Sequence, residues 1–490
     1  MPLSSALGGL AARGALWSAA LIISRQLVNV LATVILSRLL WPKDYGIFAM
    51  PAAFTGFLAV FSELGLSGAT IQRRDLTQRQ LSNLFWINTA LGCILFTLCL
   101  VAAPLVAGFY GRSELKLITA TLGIGFLAGG VGVQPSALLI RQMKVGRLFA
   151  AEGVSQVLGA LAAIVGAFLG WGYWALVLRA VLAPIFLTGI LFTVSGFRPG
   201  WPRAGQGTVA LLKFGGYLAG FGAINYFARN LDNVLIGKVW GAEPLGYYTR
   251  AYFLMMLPVY LINGSLSRVI LPALSVVQKD KERFGRIYRN SIQLVAIASF
   301  PLTLGMAVVA KELVQLFYGP HWATVAPILV CLSLSAMVEP ICGTIPWLYI
   351  SVGDTRRYFF WGLIATPLTC VSFVAGLPWG PIGVAAAYAA VSVVVLLVPG
   401  LWLAHRAAQL PLRPTLLGMM RPLLYALIMA IAAWSTRWML MTAGVPWWMV
   451  LIGAVVVGAG VYSVLLLILQ RDILAQAVTT IRQPAPEAGN

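Results

Sequence analysis

The chain has 490 residues, of which 60% are hydrophobic and only 10% charged, and its mean hydropathy is +0.88. Soluble domains carry roughly 25% charged residues, so water is not the main solvent of this protein. The 34 basic and 14 acidic residues leave a net charge of +20; the basic residues fall in short connections between apolar stretches, so topology accounts for them and no nucleic-acid partner is expected.

Apolar stretches of about 20 residues recur along the chain, each long enough to cross a hydrocarbon core of roughly 30 Å as a helix. In chain order they fall near 15–40, 45–70, 83–108, 114–139, 149–169, 172–195, 209–237, 247–272, 287–311, 322–350, 357–376, 381–404, 417–440 and 446–470. The expectation is an all-α membrane protein of about fourteen transmembrane helices. A membrane β-barrel would show alternating segments of about 10 residues instead. The opening MPLSSALGGLAARG lacks a signal-peptide pattern, so the first helix reads as retained.

Basic residues near span ends stay in the cytoplasm and set orientation. Assigning Lys and Arg to alternate sides places 22 with the N-terminus and 7 opposite, with Arg25, Arg179, Arg229, Arg250 and Arg268 within or at the edges of spans. Both termini are therefore expected in the cytoplasm, which requires an even number of spans. The connections are short, leaving no room for a nucleotide-hydrolysing domain.

The chain resembles itself. At an offset of 200, VILSRLLWPKDYGIF (34–48) aligns with VLIGKVWGAEPLGYY (234–248), and at 208, PLVAGFYG (104–111) aligns with ELVQLFYG (312–319) and Trp171-Gly172 with Trp379-Gly380. Helices one to six and seven to twelve then form two copies of one bundle. The expected organisation is an N-lobe over 1–205, a C-lobe over 206–410, and helices thirteen and fourteen with a short tail over 411–490. An even shift of six helices keeps the copies parallel around a central cavity, an architecture suited to alternating access.

The strings RLLWPKDYGIFAM (38–50), ELGLSGATIQRRDLTQRQLSNLFWIN (63–88), GWGYWALV (170–177), FARNLDNVLIG (227–237), LGYYTRAY (245–252) and LPALSVVQKD (271–280) resemble Wzx-type polysaccharide exporters. These belong to the multidrug/oligosaccharidyl-lipid/polysaccharide superfamily, and the exporters of colanic acid and succinoglycan are nearest in appearance. The resemblance covers roughly residues 10–410. It implies a non-enzymatic flippase for undecaprenyl-pyrophosphate-linked oligosaccharides, serving exopolysaccharide, capsule or lipopolysaccharide assembly. Its implied partners are the lipid-linked oligosaccharide, membrane lipid, and a polysaccharide polymerase with its chain-length machinery.

Ionised groups within the membrane are costly unless they face protein, a partner or a watery cavity. Arg25 and Asn29 share one face of helix one; Asn225, Arg229 and Asp232 share one face of helix seven; at offset 200, Arg25 matches Asn225 and Asn29 matches Arg229. Together with Arg179 of helix six, these are the candidates for a cationic cavity, because guanidinium groups bind diphosphate and acidic sugars bidentately. The structural alternatives are an Arg229–Asp232 ion pair and, for Arg179, snorkelling to the interface. Glu339, before Pro340, and Asp232 are candidates for proton or sodium coupling; Glu63 and Glu152 read better as helix-end groups. Tyr226 and Phe227 are candidates for stacking on sugar rings, whereas Trp171 and Trp174 suit an interface belt.

The five cysteines lie in apolar spans, and His321 and His405 are solitary, so neither disulfide, metal site nor other cofactor is expected. The rival readings are a multidrug cation exporter of the same superfamily, whose site should be acidic and aromatic, and a lipid-II-type flippase, which shares the diphosphate carrier. A membrane glycosyltransferase or polymerase would need larger outer loops.

Overall fold

In the computed structural model of the protein, the described residues are 26–62, 70, 77–202, 226–278 and 280–469. Arg25, Glu63 and Asn225 lie outside them. Among the described residues the regular structure is helical, with no strand, as expected where the bilayer offers the backbone no hydrogen-bonding partner.

The helices are α1 (Gln26–Leu39), α2 (Pro42–Ala59), α3 (Gln78–Tyr110), α4 (Glu114–Arg141), α5 (Val145–Phe168), α6 (Tyr173–Ser195), α7 (226–239) and α8 (Ala242–Val276). They continue as α9 (Lys281–Val308), α10 (Ala310–Phe317), α11 (Val325–Cys342), α12 (Ile345–Ser351), α13 (Thr355–Gly376), α14 (Gly380–Ala390), α15 (Leu397–Ala407), α16 (Arg413–Thr442) and α17 (Trp447–Leu469). Each of the fourteen expected spans has a helical counterpart here. Nine helical stretches among the described residues are long and apolar enough to cross a membrane, and one of them, Thr355–Ala407, is two spans divided at Leu377–Trp379.

Local chemistry explains the ends. The Thr77 hydroxyl accepts from the Gln80 backbone N–H while the Gln80 side-chain Oε1 accepts from the Thr77 N–H, a reciprocal cap that starts α3. Gly111 then stops it at φ +69°. Asp280 and Asp354 cap α9 and α13 through the N–H groups of Arg283 and Arg357. Two expected spans are each broken once: helix nine between α9 and α10 at Val309, and helix ten between α11 and α12 at Gly343, just beyond Pro340. Between α14 and α15 the ladder widens to a π turn at Val391–Leu396.

The chain divides into two compact units, Met1–Gly246 and Tyr247–Asn490. In the first, α3 packs along α4, α5 along α6, and α4 against α6. Phe85, Phe192 and Phe197 form edge and tilted ring contacts at one end. Trp86 donates from Nε1 to the Gly200 carbonyl and stacks on Trp201, which pins the segment after α6 onto α3.

In the second unit α9 is central, flanked by α11 and α16. Tyr288, Leu348, Leu401 and Ala426 are fully buried around it. The α11–α12 stretch buries 61% of its most apolar window, whereas that of α17 buries only 17%, so α17 turns most of its surface to lipid.

The duplication read from the sequence recurs in the helix order. α1 and α7 end at residues 39 and 239, and α2 and α8 start at Pro42 and Ala242. The paired glycines also share conformation: Gly111 and Gly319, like Gly172 and Gly380, all have positive φ at helix boundaries. The turns α1–α2 and α7–α8 meet reciprocally. A Cβ on Gly46 would overlap the Ala242 carbonyl oxygen, and a Cβ on Gly246 would overlap that of Pro42. Glycine at these two equivalent positions is what lets the backbones touch.

Candidate functional site

Asp44 organises the first unit from outside the polar face. Its Oδ2 accepts from the Trp41 N–H at 3.0 Å, capping α2, while its Oδ1 accepts from the Tyr173 N–H at 3.1 Å, capping α6. One carboxylate thus satisfies orphan donors at two helix N-termini, where the dipoles favour negative charge. Gly172, at φ +55°, lies directly against that carboxylate.

From this anchor α6 carries Arg179 about 9 Å along its axis at 1.5 Å per residue. The half-buried guanidinium donates from Nη2 to Oδ1 of Asn29 on α1 at 2.7 Å. Two sequence-predicted site residues, 150 positions apart, are therefore brought together. A guanidinium has five donors in a fixed fork, so more than one partner can be held at once.

On α7 the predicted polar face is less uniform than its spacing implied. Arg229 is exposed, while Asp232, one turn on, is 2% exposed, its Oδ1 accepting from the Asn233 N–H at 2.7 Å. Glu339 is half-buried on α11 in the second unit, where its own carbonyl accepts from the Gly343 N–H at the helix break.

Tyr226 and Phe227 do not stand in a polar setting. They line a cavity of about 410 Å³ with Met50, Phe54 and Phe57 of α2 and Leu105 and Phe109 of α3, and its walls are almost wholly apolar. The Tyr226 hydroxyl rests against Gly56. The groups around this pair offer almost no hydrogen bonds to the hydroxyls of a sugar stacked there. Trp171 is half exposed at the end of α5, in keeping with a belt position.

Two polar constellations escaped the sequence. Glu312 of α10 and Arg437 of α16, 125 positions apart, form an ion pair at 2.8 Å with side-chain exposures of 6% and 15%. His405, 1% exposed, bonds through Nδ1 to the Leu401 carbonyl and through Nε2 to the Thr415 hydroxyl. Tyr288 packs edge-on against His405 and bonds to Thr344, giving α9, α12, α15 and α16 one buried polar junction. The carbonyl accepts only, so Nδ1 carries the proton and the ring is fixed in place by its tautomer.

A duplicated, all-helical membrane bundle with polar groups held inside it defines a multi-pass membrane transporter. Comparison with known proteins narrows this: the family described as polysaccharide biosynthesis protein matches residues 35–327, and the chain belongs to it. The resemblance read from the sequence strings is thereby borne out. The chain is 28% identical to the teichuronic acid biosynthesis protein TuaB of Bacillus subtilis (strain 168), over 86% of this chain and 88% of that one. It is 26% identical to the succinoglycan biosynthesis transport protein ExoT of Rhizobium meliloti (strain 1021), over 93% and 92%. Identity to the lipopolysaccharide biosynthesis protein WzxC of Escherichia coli (strain K12) is 24%, over 78% of each. Among solved structures, the lipid II flippase MurJ in an inward closed conformation shares the fold with a TM-score of 0.75 at 18% identity, covering 94% of this chain and 99% of that one. An inward-facing multidrug resistance MATE family transporter shares it with a TM-score of 0.63 at 15% identity, over 79% and 95%.

Proposed function

We propose that the protein is a flippase of the bacterial inner membrane that moves undecaprenyl-pyrophosphate-linked oligosaccharide repeat units to the outer side for polysaccharide assembly. One observation carries this reading: the chain belongs to a polysaccharide biosynthesis family. Support comes from near full-length similarity to a succinoglycan biosynthesis transport protein and from a fold shared with a lipid II flippase.

In this reading the two six-helix repeats rock between inward and outward states about a central cavity. Arg179, positioned by Asn29, binds the diphosphate or acidic sugars together with Arg25, Arg229 and Asn225, since such oxygens accept bidentate hydrogen bonds. Glu339 and Asp232 are the candidate carriers of a coupling proton or sodium ion. Both termini lie in the cytoplasm, where the basic connections concentrate. A polymerase and its chain-length machinery take up the delivered units.

The test is transbilayer movement of a polyprenyl-diphosphate oligosaccharide in proteoliposomes, comparing wild type with Arg25→Ala, Arg179→Ala and Arg229→Ala at matched reconstitution. Loss of a charge-assisted hydrogen bond costs about 1.5–3 kcal/mol, roughly 10- to 100-fold in apparent affinity. A rise of that size in the half-saturating lipid concentration supports the assignment. Unchanged concentration dependence in all three folded variants removes these arginines from the site, and no movement by wild type removes the function.

A further inference from the structure

The apolar cavity of the first unit lies outside the polar face and has its own chemistry. Its volume of about 410 Å³ falls within the roughly 300–1,000 Å³ of small-molecule sites, which bind their ligands largely by shape and apolar contact. Leu105, Phe109 and Phe227 line it and are 71%, 47% and 54% exposed, so in a bilayer it opens sideways to hydrocarbon. Such an opening admits a lipid chain without requiring it to pass through water.

A cation stands beside one lining residue, Phe109. Lys238, at the end of α7, donates from Nζ to the Phe109 carbonyl, and its ammonium stands 5.0 Å from the centroid of the Phe109 ring. The same phenylalanine therefore both lines the cavity and holds a Lys ammonium. The ammonium carries three donors, so it can still bind an anion while keeping its carbonyl. Lys238 is exposed and belongs to the side opposite the N-terminus.

We propose that this cavity seats the polyprenyl chain of the lipid carrier, with its phosphate on Lys238, in the outer leaflet. The proposal rests on the flippase reading and adds a tail site to it. The cargo lipid is held by hydrocarbon contact on α2, α3 and α7 after its sugar has crossed, so the tail does not remain free in bulk lipid. The cavity favours a branched isoprenoid because aromatic side chains from three helices line it, and Lys238 beside Phe109 favours an anionic head group.

The experiment uses the purified full chain in detergent with a diazirine-tagged geranylgeranyl phosphate, mapping the photolabelled peptides by mass spectrometry. Expected is labelling of α2, α3 and α7 around Phe57, Leu105 and Phe227, displaced by untagged polyprenyl phosphate and not by equal phosphatidylglycerol. Ala102→Trp, at a lining position of α3, fills the cavity and should lower labelling about tenfold, and Lys238→Gln should weaken binding of the phosphate about tenfold while leaving that of the neutral polyprenol unchanged. Diffuse labelling, equal displacement by phosphatidylglycerol, or undiminished labelling of a folded Ala102→Trp overturns the proposal. If Ala102→Trp does not fold, the wild-type map and Lys238→Gln decide. Binding needs no transport, so failure here with intact oligosaccharide movement in proteoliposomes removes the tail site alone, whereas absent movement with intact labelling removes the flippase reading.

Discussion

Replacing Arg437 by Met isolates one buried charge. In the native protein the Glu312 side chain is 6% exposed, its Oε1 accepts from Arg437 Nε at 2.8 Å, and its Oε2 has no hydrogen-bond partner among the described residues. The pair's worth rests on that one contact. Removing the guanidinium strands a buried carboxylate, and breaking such a pair from one side costs about 3–5 kcal/mol. Arg437→Met should therefore lower the thermal unfolding midpoint in detergent markedly. The double variant Glu312→Gln with Arg437→Met removes the charge as well and should recover most of the loss, giving a coupling energy well above the ~0.5 kcal/mol expected of non-interacting sites. The assay is thermal unfolding followed by intrinsic fluorescence and by retention of a monodisperse peak. Equal midpoints for wild type and Arg437→Met, or no recovery in the double variant, refute the reasoning.

Further predictions follow from the packing. Asp44→Ala deprives two helix N-termini of their cap and should cost about 1–3 kcal/mol, read as a lower unfolding midpoint, with Asp44→Asn retaining part of the loss. Gly46→Ala and Gly246→Ala each force a methyl group into a carbonyl, costing about 1–3 kcal/mol, and equal effects on midpoint would reflect their reciprocal contact. Asn29→Ala should weaken lipid-linked oligosaccharide uptake in proteoliposomes roughly 3- to 10-fold by releasing the Arg179 fork, with little change in midpoint. Tyr288→Phe, which drops the bond to Thr344, should cost about 1 kcal/mol, measured by the same unfolding assay.

The parts of the fold legible in the sequence are those written in runs. Hydropathy marks each span because a helix must satisfy its own backbone in lipid, and the sequence offset of 200 already sets α1 against α7. Breaks inside spans were harder. Pro340 announced the kink after α11, but nothing near Val309 announced that α9 and α10 would separate. Polar partners far apart in sequence were not legible at all. Arg437 counted as an outer-side cation in the charge tally, yet it is paired with Glu312, and Asp44 sat unremarked in WPKDYG although it joins α2 to α6. The site divides the same way. Spacing identified Asn29 and Arg179 individually, and only the packing of α1 against α6 joins them. Tyr226 and Phe227 read as sugar-stacking rings because aromatic residues serve polar and apolar ligands alike; their neighbours Phe54, Phe57 and Leu105, contributed by two other helices, make their surroundings apolar.

The measurement that bears most directly on function is a comparison of cargo classes in proteoliposomes of the wild-type chain: a fluorescent polyprenyl-diphosphate oligosaccharide against a cationic dye such as ethidium. A cationic polar face predicts protein-dependent movement of the anionic glycolipid and none of the dye. Dye movement without glycolipid movement would contradict the account and assign the chain to drug export.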